Sequence, residues 1–184
     1  MRSAVAAGLG LNMFNRHADK LYMCNIAQIV NVLQSLLLTD GPEGKNCIRT
    51  STYYAFQLFK PHRTQTAIKV ETDDAGPLAL SASASKTNLK TSDEHGPAGM
   101  QTQIVASFVN PRTDSDISVQ CELRDASAMS AAGQILHDAD WNAANTFENP
   151  DKLVPKPFNV QASGSQVQFD LPAMSVATIT IQTK

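Results

Sequence analysis

The sequence predicts a mainly β fold with a small α/β part at its N-terminal end. From Ala67 onward apolar residues recur with period two, as Ile68/Val70, Val119/Cys121/Leu123 and Val167/Phe169/Leu171, each alternating with Lys, Gln, Glu, Arg or Asp. That alternation marks antiparallel strands with one buried face. Turn clusters separate the runs: Thr72-Asp73-Asp74-Ala75-Gly76-Pro77, Asp93-Glu94-His95-Gly96-Pro97, Asn110-Pro111 and Ala162-Ser163-Gly164-Ser165. Their spacing suits a β-sandwich of roughly seven strands. Before residue 65 the pattern is different, a helix, a buried strand and another helix. The chain therefore divides at 1–65 and 66–184, and no repeat of fixed period is present.

The N-terminal elements follow in order. Ser3 can cap a helix that runs to about His17, with Val5, Leu9 and Met13 stacking on one face. Leu21-Tyr22-Met23-Cys24-Asn25-Ile26-Ala27 is short and nearly continuously apolar, as expected of a strand covered on both faces. Thr39-Asp40-Gly41-Pro42-Glu43-Gly44 is a loop by its Gly and Pro content. Ser51 or Thr52 can then cap a second helix in which Tyr53, Phe56 and Phe59 recur, and Pro61 stops it.

Composition narrows the function classes. Across 184 residues, 15 Lys+Arg stand against 17 Asp+Glu, a formal charge of −2, and 17% of residues are charged. Soluble proteins carry about 25%; Ser, Thr, Asn, Gln and Ala fill the deficit, a mixture common on exposed sheet faces. No basic excess points to nucleic acid. The longest apolar stretch, Ile26 to Leu38, is interrupted by Gln28, Asn31, Gln34 and Ser35, well short of the ~20 apolar residues of a membrane-spanning helix. The opening Met1-Arg2-Ser3-Ala4-Val5-Ala6-Ala7 has no convincing signal-peptide cleavage site before Asn12, Asn15, Arg16 and His17. Cys24, Cys47 and Cys121 are odd in number and form no C-x-x-C pair, which predicts buried, reduced thiols rather than a disulfide framework or zinc ribbon. A cytoplasmic location is the expectation.

Few residues carry obvious chemistry. His17, His62, His95 and His137 lack H-x-H or H-E-x-x-H spacing, so neither a metal nor any other cofactor is called for. Gly8-Leu9-Gly10 lies inside the first helix, where close helix packing explains it better than a dinucleotide turn. No G-x-S-x-G elbow or Walker sequence occurs. Cys24 in an apolar strand reads as structural, and His137-Asp138-Ala139-Asp140 as a solvated turn rather than a cation site. The amides are more informative: Asn25, Gln28 and Asn31 fall in one apolar stretch, where an unpaired amide costs about 1–3 kcal/mol. Each needs partners, and at the end of a buried strand those are backbone groups or a polar ligand.

Three blocks carry a more specific signal. Ala7-Gly8-Leu9-Gly10-Leu11-Asn12-Met13-Phe14-Asn15-Arg16-His17-Ala18-Asp19-Lys20, Met23-Cys24-Asn25-Ile26-Ala27-Gln28-Ile29-Val30-Asn31-Val32-Leu33-Gln34 and Leu38-Thr39-Asp40-Gly41 closely resemble α-L-arabinofuranosidases of glycoside hydrolase family 51. Thr52-Tyr53-Tyr54-Ala55-Phe56 with Phe59-Lys60-Pro61-His62 resembles that family's final barrel helix. Asn145-Thr146-Phe147-Glu148-Asn149-Pro150-Asp151 with Val154-Pro155-Lys156-Pro157 resembles a late segment of its sandwich. The resemblance covers nearly the whole chain. It implies the last helix-strand-helix of an incomplete TIM barrel over 1–65, followed by a jelly-roll-like antiparallel β-sandwich over 66–184, because a complete (β/α)8 barrel takes about 250 residues.

Family members are retaining hydrolases that use one Glu as general acid/base and another as nucleophile. Both belong to earlier barrel strands, and from Met1 to Pro42 this chain has no Glu, only Asp19 and Asp40. The resemblance thus implies a C-terminal fragment with no catalytic residue of its own and no activity alone. Gln28 falls at the C-terminal end of the last barrel strand, where barrel active sites are built. It matches the family glutamine that hydrogen-bonds arabinofuranose; Asn25 is a weaker substrate-binding candidate, and Cys24 stands where the family often has a small residue such as Ala. The implied partners are an arabinose-containing oligosaccharide or polysaccharide and, in the complete enzyme, further copies in a homo-oligomer, with no nucleic acid and no membrane. Without its barrel neighbours the strand region 21–34 is expected to expose edges and apolar surface. The alternative is a non-catalytic β-sandwich that binds carbohydrate or serves structurally, but Phe108, Phe158 and Phe169 read as core rather than sugar platforms.

Overall fold

A computed structural model describes residues 1–26, 28–41, 43–91 and 99–184; the turn expected at Asp93–Pro97 lies outside them. In chain order come α1 (Arg2–Arg16), β1 (Leu37–Thr39), β2 (Cys47–Arg49), α2 (Ser51–Phe59), a 3-10 turn at Lys60–His62, β3 (Thr66–Ile68), β4 (Ser81–Thr91), β5 (Gly99–Asn110), β6 (Ile117–Glu122), β7 (Ala128–His137), β8 (Lys156–Phe158), β9 (Gln161–Ser163), β10 (Gln166–Leu171) and β11 (Ser175–Thr183). The strands pair antiparallel as a six-stranded sheet, β3-β4-β5-β11-β7-β8, a three-stranded sheet, β6-β10-β9, and the small hairpin β1-β2.

Nine strands follow residue 65 among the described residues, against roughly seven expected. The surplus comes from three-residue pieces such as β8 and β9, too short to show an alternation, and Ala162 and Ser163 of β9 fall in an expected turn cluster. The expected alternation holds in β10, where Val167, Phe169 and Leu171 are buried and Gln166, Gln168 and Asp170 exposed. Gly164 at φ 58° turns β9 back into β10, a left-handed conformation that glycine adopts without steric cost.

Two cores flank the larger sheet. On one face Ala82, Ala84, Ile104, Ala106, Phe108, Ala177, Ile179 and Ile181 meet Val119, Val167, Phe169 and Leu171 of the smaller sheet, with Phe108 edge-on to Phe169 at a centroid separation of 4.9 Å. On the other, Val109, Leu136 and Val176 meet Ala4 and Val5 of α1 and Tyr54, Ala55, Leu58 and Phe59 of α2. The molecule is thus three-layered, and the helices bury the second face of strands expected to be half-buried. β11 shows the consequence, with Ser175 through Ile179 buried without interruption.

Both helices differ in detail from expectation. Ser3 is not the cap of α1: Met1 is, without a side-chain cap bond, and the first helical N–H, that of Arg2, donates to Trp141 O at 3.1 Å. The buried face is Ala4, Val5, Gly8 and Asn12 rather than Val5, Leu9 and Met13, and Met13 is 47% exposed. Small side chains decide this. A Cβ on Gly8 would lie 2.8 Å from Val109 Cγ2, so the helix approaches the sheet along its smallest stripe, and Asn12 donates to Ser81 O at 2.9 Å. Close packing thus explains Gly8, whereas a Cβ on Gly10 meets nothing within 4 Å. Gly10→Ala should therefore raise stability by up to about 1 kcal/mol, the helix-propensity difference. Gly8→Ala should lower it, because overpacking of about 1–3 kcal/mol outweighs the same gain; urea denaturation of both variants checks the opposite signs.

α2 is capped one residue earlier than expected. Thr50 Oγ1 accepts from Tyr53 N at 3.3 Å and donates to Ser35 O at 2.7 Å, while Ser51 and Thr52 are buried. The helix then passes directly into the 3-10 turn containing Pro61.

Candidate functional site

The segment between α1 and β1 carries the candidate residues, and here the structure departs most from expectation. No strand forms over the described residues of Leu21–Ala27. Tyr22 is 101% exposed and Met23 69%; Cys24 is exposed as well, not buried. A barrel strand is hydrogen-bonded on both sides, and among the described residues no strand runs alongside this one. Its apolar side chains Leu21, Tyr22, Met23, Ile29, Val30 and Leu33 face water instead.

Asn25, expected within a buried strand, and Gln28, expected at its C-terminal end, are both exposed. Neither makes a side-chain hydrogen bond among the described residues, so both amides are available to a ligand but not held in place. Asn31 behaves differently. It adopts φ 54°, a left-handed conformation that Asn tolerates better than most residues. Its Nδ2 donates to Thr39 Oγ1 and its Oδ1 accepts from Thr39 N, both at 2.8 Å. With Leu36 N and Leu37 N donating to Ile29 O at 3.0 Å each, these bonds tie residues 29–39 into a compact loop. The β1-β2 hairpin that anchors this loop had no sequence signal beyond the Gly and Pro content of residues 39–44.

Two concavities lie elsewhere. One, of about 560 Å³, sits between the helices and is lined by Leu11, Asn15, Leu36, Tyr53, Phe56, Lys60 and Arg63 among others. The second, also about 560 Å³, lies on the sandwich, where Gln120, Asn159, Gln161, Gln168 and Asp170 surround Phe158 and Phe169. Gln28 and Asn25 line neither of them.

Asp40 accepts from Asn46 N at 2.8 Å and Asn46 Nδ2 at 2.5 Å, bonds that hold its carboxyl below the usual carboxylate range. Asp19 is exposed beyond the end of α1. Around Asp138 and Asp140 the carboxylates bond their own turn, accepting from Asp140 N and Asn142 N at 2.8 and 2.9 Å. Among the described residues no group of three or more His, Cys, Asp and Glu side chains gathers at one point, and no helix is long and apolar enough to cross a membrane.

The cysteines also correct expectation. All three are free, but Cys24 and Cys47 are exposed and only Cys121 is partly covered, where burial pushes its thiol up to about 11. A thiol reagent at neutral pH should therefore titrate Cys24 and Cys47 rapidly in the native chain and Cys121 only slowly, because the thiolate is the reactive form. Equal rates for all three would contradict this assignment.

A helical layer on two antiparallel sheets defines a mainly β domain of the sandwich class. Residues 1–175 match the profile of the α-L-arabinofuranosidase C-terminal domain, and the chain belongs to that family. It is 32% identical to an intracellular exo-α-L-arabinofuranosidase of Bacteroides ovatus over 99% of its own length and 34% of the relative's. Against a probable α-L-arabinofuranosidase A of Aspergillus terreus the identity is 28%, over 98% of this chain and 27% of the relative. Among solved structures, the family 51 arabinofuranosidase of Xanthomonas axonopodis pv. citri superposes with a TM-score of 0.79 at 28% identity, covering 97% of this chain and 35% of that one. An arabinose complex of the Thermotoga maritima enzyme has a TM-score of 0.76 at 21% identity, covering 97% and 38%, a likeness of fold. The chain thus spans about a third or less of the curated relatives it matches.

Proposed function

We propose that this chain is the C-terminal portion of a retaining α-L-arabinofuranosidase that removes terminal non-reducing α-L-arabinofuranosyl units from arabinan or arabinoxylan, in L-arabinose metabolism. The observation that carries the reading is the family match across residues 1–175. The exposed apolar ribbon of Leu21, Tyr22, Met23, Ile29, Val30 and Leu33 supports it, since a patch of this kind marks a surface that a larger assembly covers. In this reading residues 1–65 are the closing helix-strand-helix of a (β/α)8 barrel and residues 66–184 are its sandwich.

The chemistry follows from what the chain holds. Retaining hydrolysis needs two carboxyl groups about 5–5.5 Å apart, one protonating the leaving oxygen and one attacking the anomeric carbon. With no Glu from Met1 to Pro42, those groups come from the part of such an enzyme that this chain does not match, and the chain alone is inactive. Gln28 contributes binding instead: its amide donates from Nε2 and accepts at Oε1, which suits sugar hydroxyls without adding charge beside an oxocarbenium-like transition state. Asn25 stands behind it. The complete enzyme acts as a homo-oligomer, and a cytoplasmic location accords with the Bacteroides ovatus relative, whose name describes it as intracellular.

The test joins the chain to the N-terminal portion of the Bacteroides ovatus enzyme, in place of the segment it matches, and assays an aryl α-L-arabinofuranoside. Turnover by the joined protein and none by the chain alone is expected. Turnover by the chain alone, or a folded joined protein without activity, would contradict the reading. The second reading, a non-catalytic carbohydrate-binding module, draws on the amide-lined groove of Gln120, Asn159, Gln161 and Gln168. Retention of the isolated chain on immobilised arabinan, lost in Gln168→Ala, would favour it.

A further inference from the structure

The helical layer meets the larger sheet through a polar seam that the proposed function does not use. β4 presents Ser81, Ser83 and Ser85 to the helices, β5 presents Ser107 and β11 presents Thr178, and Ser83, Ser85, Ser107 and Thr178 are buried. At its centre is His62, 8% exposed, turned inward by the 3-10 turn at Lys60–His62. That turn is closed by Arg63 N donating to Lys60 O at 3.1 Å and Gln65 N to His62 O at 3.2 Å. His62 Nδ1 lies 2.7 Å from Ser85 Oγ and Nε2 lies 2.8 Å from Ser107 Oγ.

The hydrogen bonds fix the direction of the chain. Ser85 Oγ donates its one hydrogen to Gln65 Oε1 at 2.8 Å, so toward the ring it only accepts, and Nδ1 carries the imidazole proton. Nε2 is then the acceptor, and Ser107 donates to it. Ser107 Oγ in turn accepts from Thr178 Oγ1 at 2.7 Å. The sequence Thr178→Ser107→His62→Ser85→Gln65 thus links the turn after α2 to β4, β5 and β11 with every hydrogen assigned.

A second proton has no place in this arrangement. An imidazolium donates from both nitrogens, so Ser107 would have to accept from Nε2 and turn its own hydrogen toward Thr178. Thr178 is 5% exposed and has no other side-chain partner among the described residues. Among the described residues no carboxylate bonds the ring to offset the charge. β4, β5 and β11 bring only the hydroxyls of Ser85, Ser107 and Thr178. The segment leading into β3 brings Gln65, and α2 brings the Phe59 ring at 5.6 Å. From α1, Asn12 accepts from Ser83 Oγ at 2.7 Å and the Arg16 guanidinium ends on Ser81 Oγ and Ala82 O. The neighbouring cations Lys60, Arg63 and Lys86 are exposed to water.

We infer that His62, held neutral as its Nδ1–H tautomer, is an acid-sensitive latch fastening the helical layer to the six-stranded sheet, and that its protonation releases that layer ahead of the sandwich. Burial lowers its folded-state pKa to about 4 from an ordinary 6.5. Its contribution to stability is therefore complete above about 6.5 and is lost as the pH falls through 4.

Trp141 is the chain's one tryptophan, and the Arg2 guanidinium lies 5.6 Å from its ring centroid, so its emission reports docking of α1. In the 184-residue chain, nitrogen NMR of the His62 ring at neutral pH should show Nδ1 protonated and Nε2 bare; an Nε2–H tautomer or an imidazolium would overturn the assignment. On acidification Trp141 emission should change at least ~0.5 pH unit before the far-ultraviolet β signal is lost; coincident loss would overturn local release. The urea midpoint followed by Trp141 should fall between pH 7 and pH 4.5 in the wild type and stay nearly flat in His62→Gln, an amide that takes up no proton. Parallel decline in both would also overturn the latch. Should His62→Gln fail to fold, the wild-type NMR titration decides alone: a ring that gains its second proton while Trp141 emission is still native contradicts the proposal.

Discussion

Asn110→Ala should lower the free energy of unfolding by about 3 kcal/mol, the upper end of the cost of leaving a buried polar group without its partner. Asn110 is fully buried at the end of β5. Its Nδ2 donates to Ser115 O and Leu171 O at 3.0 Å and to Pro172 O at 3.1 Å, and its Oδ1 accepts from Arg112 N at 3.0 Å. One amide thus joins the segment entering β6 and the segment leaving β10, which lie at the same end of the smaller sheet, to the larger one. Ser115 is exposed and can turn to water, whereas Leu171 is fully buried. Asn110→Asp separates hydrogen bonding from packing, since it keeps the shape but replaces the donor by a carboxylate facing three carbonyl oxygens. At neutral pH it should be at least as damaging as Ala. Urea denaturation followed by Trp141 emission reads both variants; a loss below about 1 kcal/mol for Ala would show that the contacts contribute little.

The second large effect falls on activity. In the joined enzyme, Gln28→Ala should reduce kcat/KM for an aryl α-L-arabinofuranoside by roughly 100-fold, the scale of losing a hydrogen-bond partner from a site built around substrate hydroxyls. Gln28→Glu should also be impaired, because it removes the Nε2 donor and, in the proposed reading, adds a negative charge to the sugar site. Melting temperatures should hardly move, since Gln28 makes no side-chain bond among the described residues. Wild-type kcat/KM in Gln28→Ala would remove this residue from the binding site.

Legibility in the sequence tracked side-chain contrast. β10 was evident because Val167, Phe169 and Leu171 are large and their neighbours polar. β4 was not, because Ser81-Ala82-Ser83-Ala84-Ser85 alternates two small residues of low strand propensity. In the structure that alternation is meaningful: Ala82 and Ala84 face the sandwich core while the serines face Asn12, Asn15 and His62. The same smallness hid the docking face of α1, where Gly8 and Asn12 prevail over Leu9 and Met13. His62 had no signature at all, since a lone histidine after proline acquires its hydroxyl partners only when β4, β5 and β11 come together.

Leu21–Ala27 failed for the opposite reason. Its apolar content reported a need for burial, and a burying surface is a property of the assembly rather than of the segment. Asn25 and Gln28 share that fate: the binding role proposed for them calls for a formed strand, while in this chain both are exposed amides.

Hydrogen exchange of the backbone amides over residues 21–26 tests the central claim most directly, compared between the isolated chain and the protein completed with the Bacteroides ovatus N-terminal portion. The account predicts rapid exchange in the isolated chain, where these residues join no sheet, and slowing by more than ~100-fold in the completed protein as the last barrel strand forms. Equally rapid exchange in an active completed protein would contradict it.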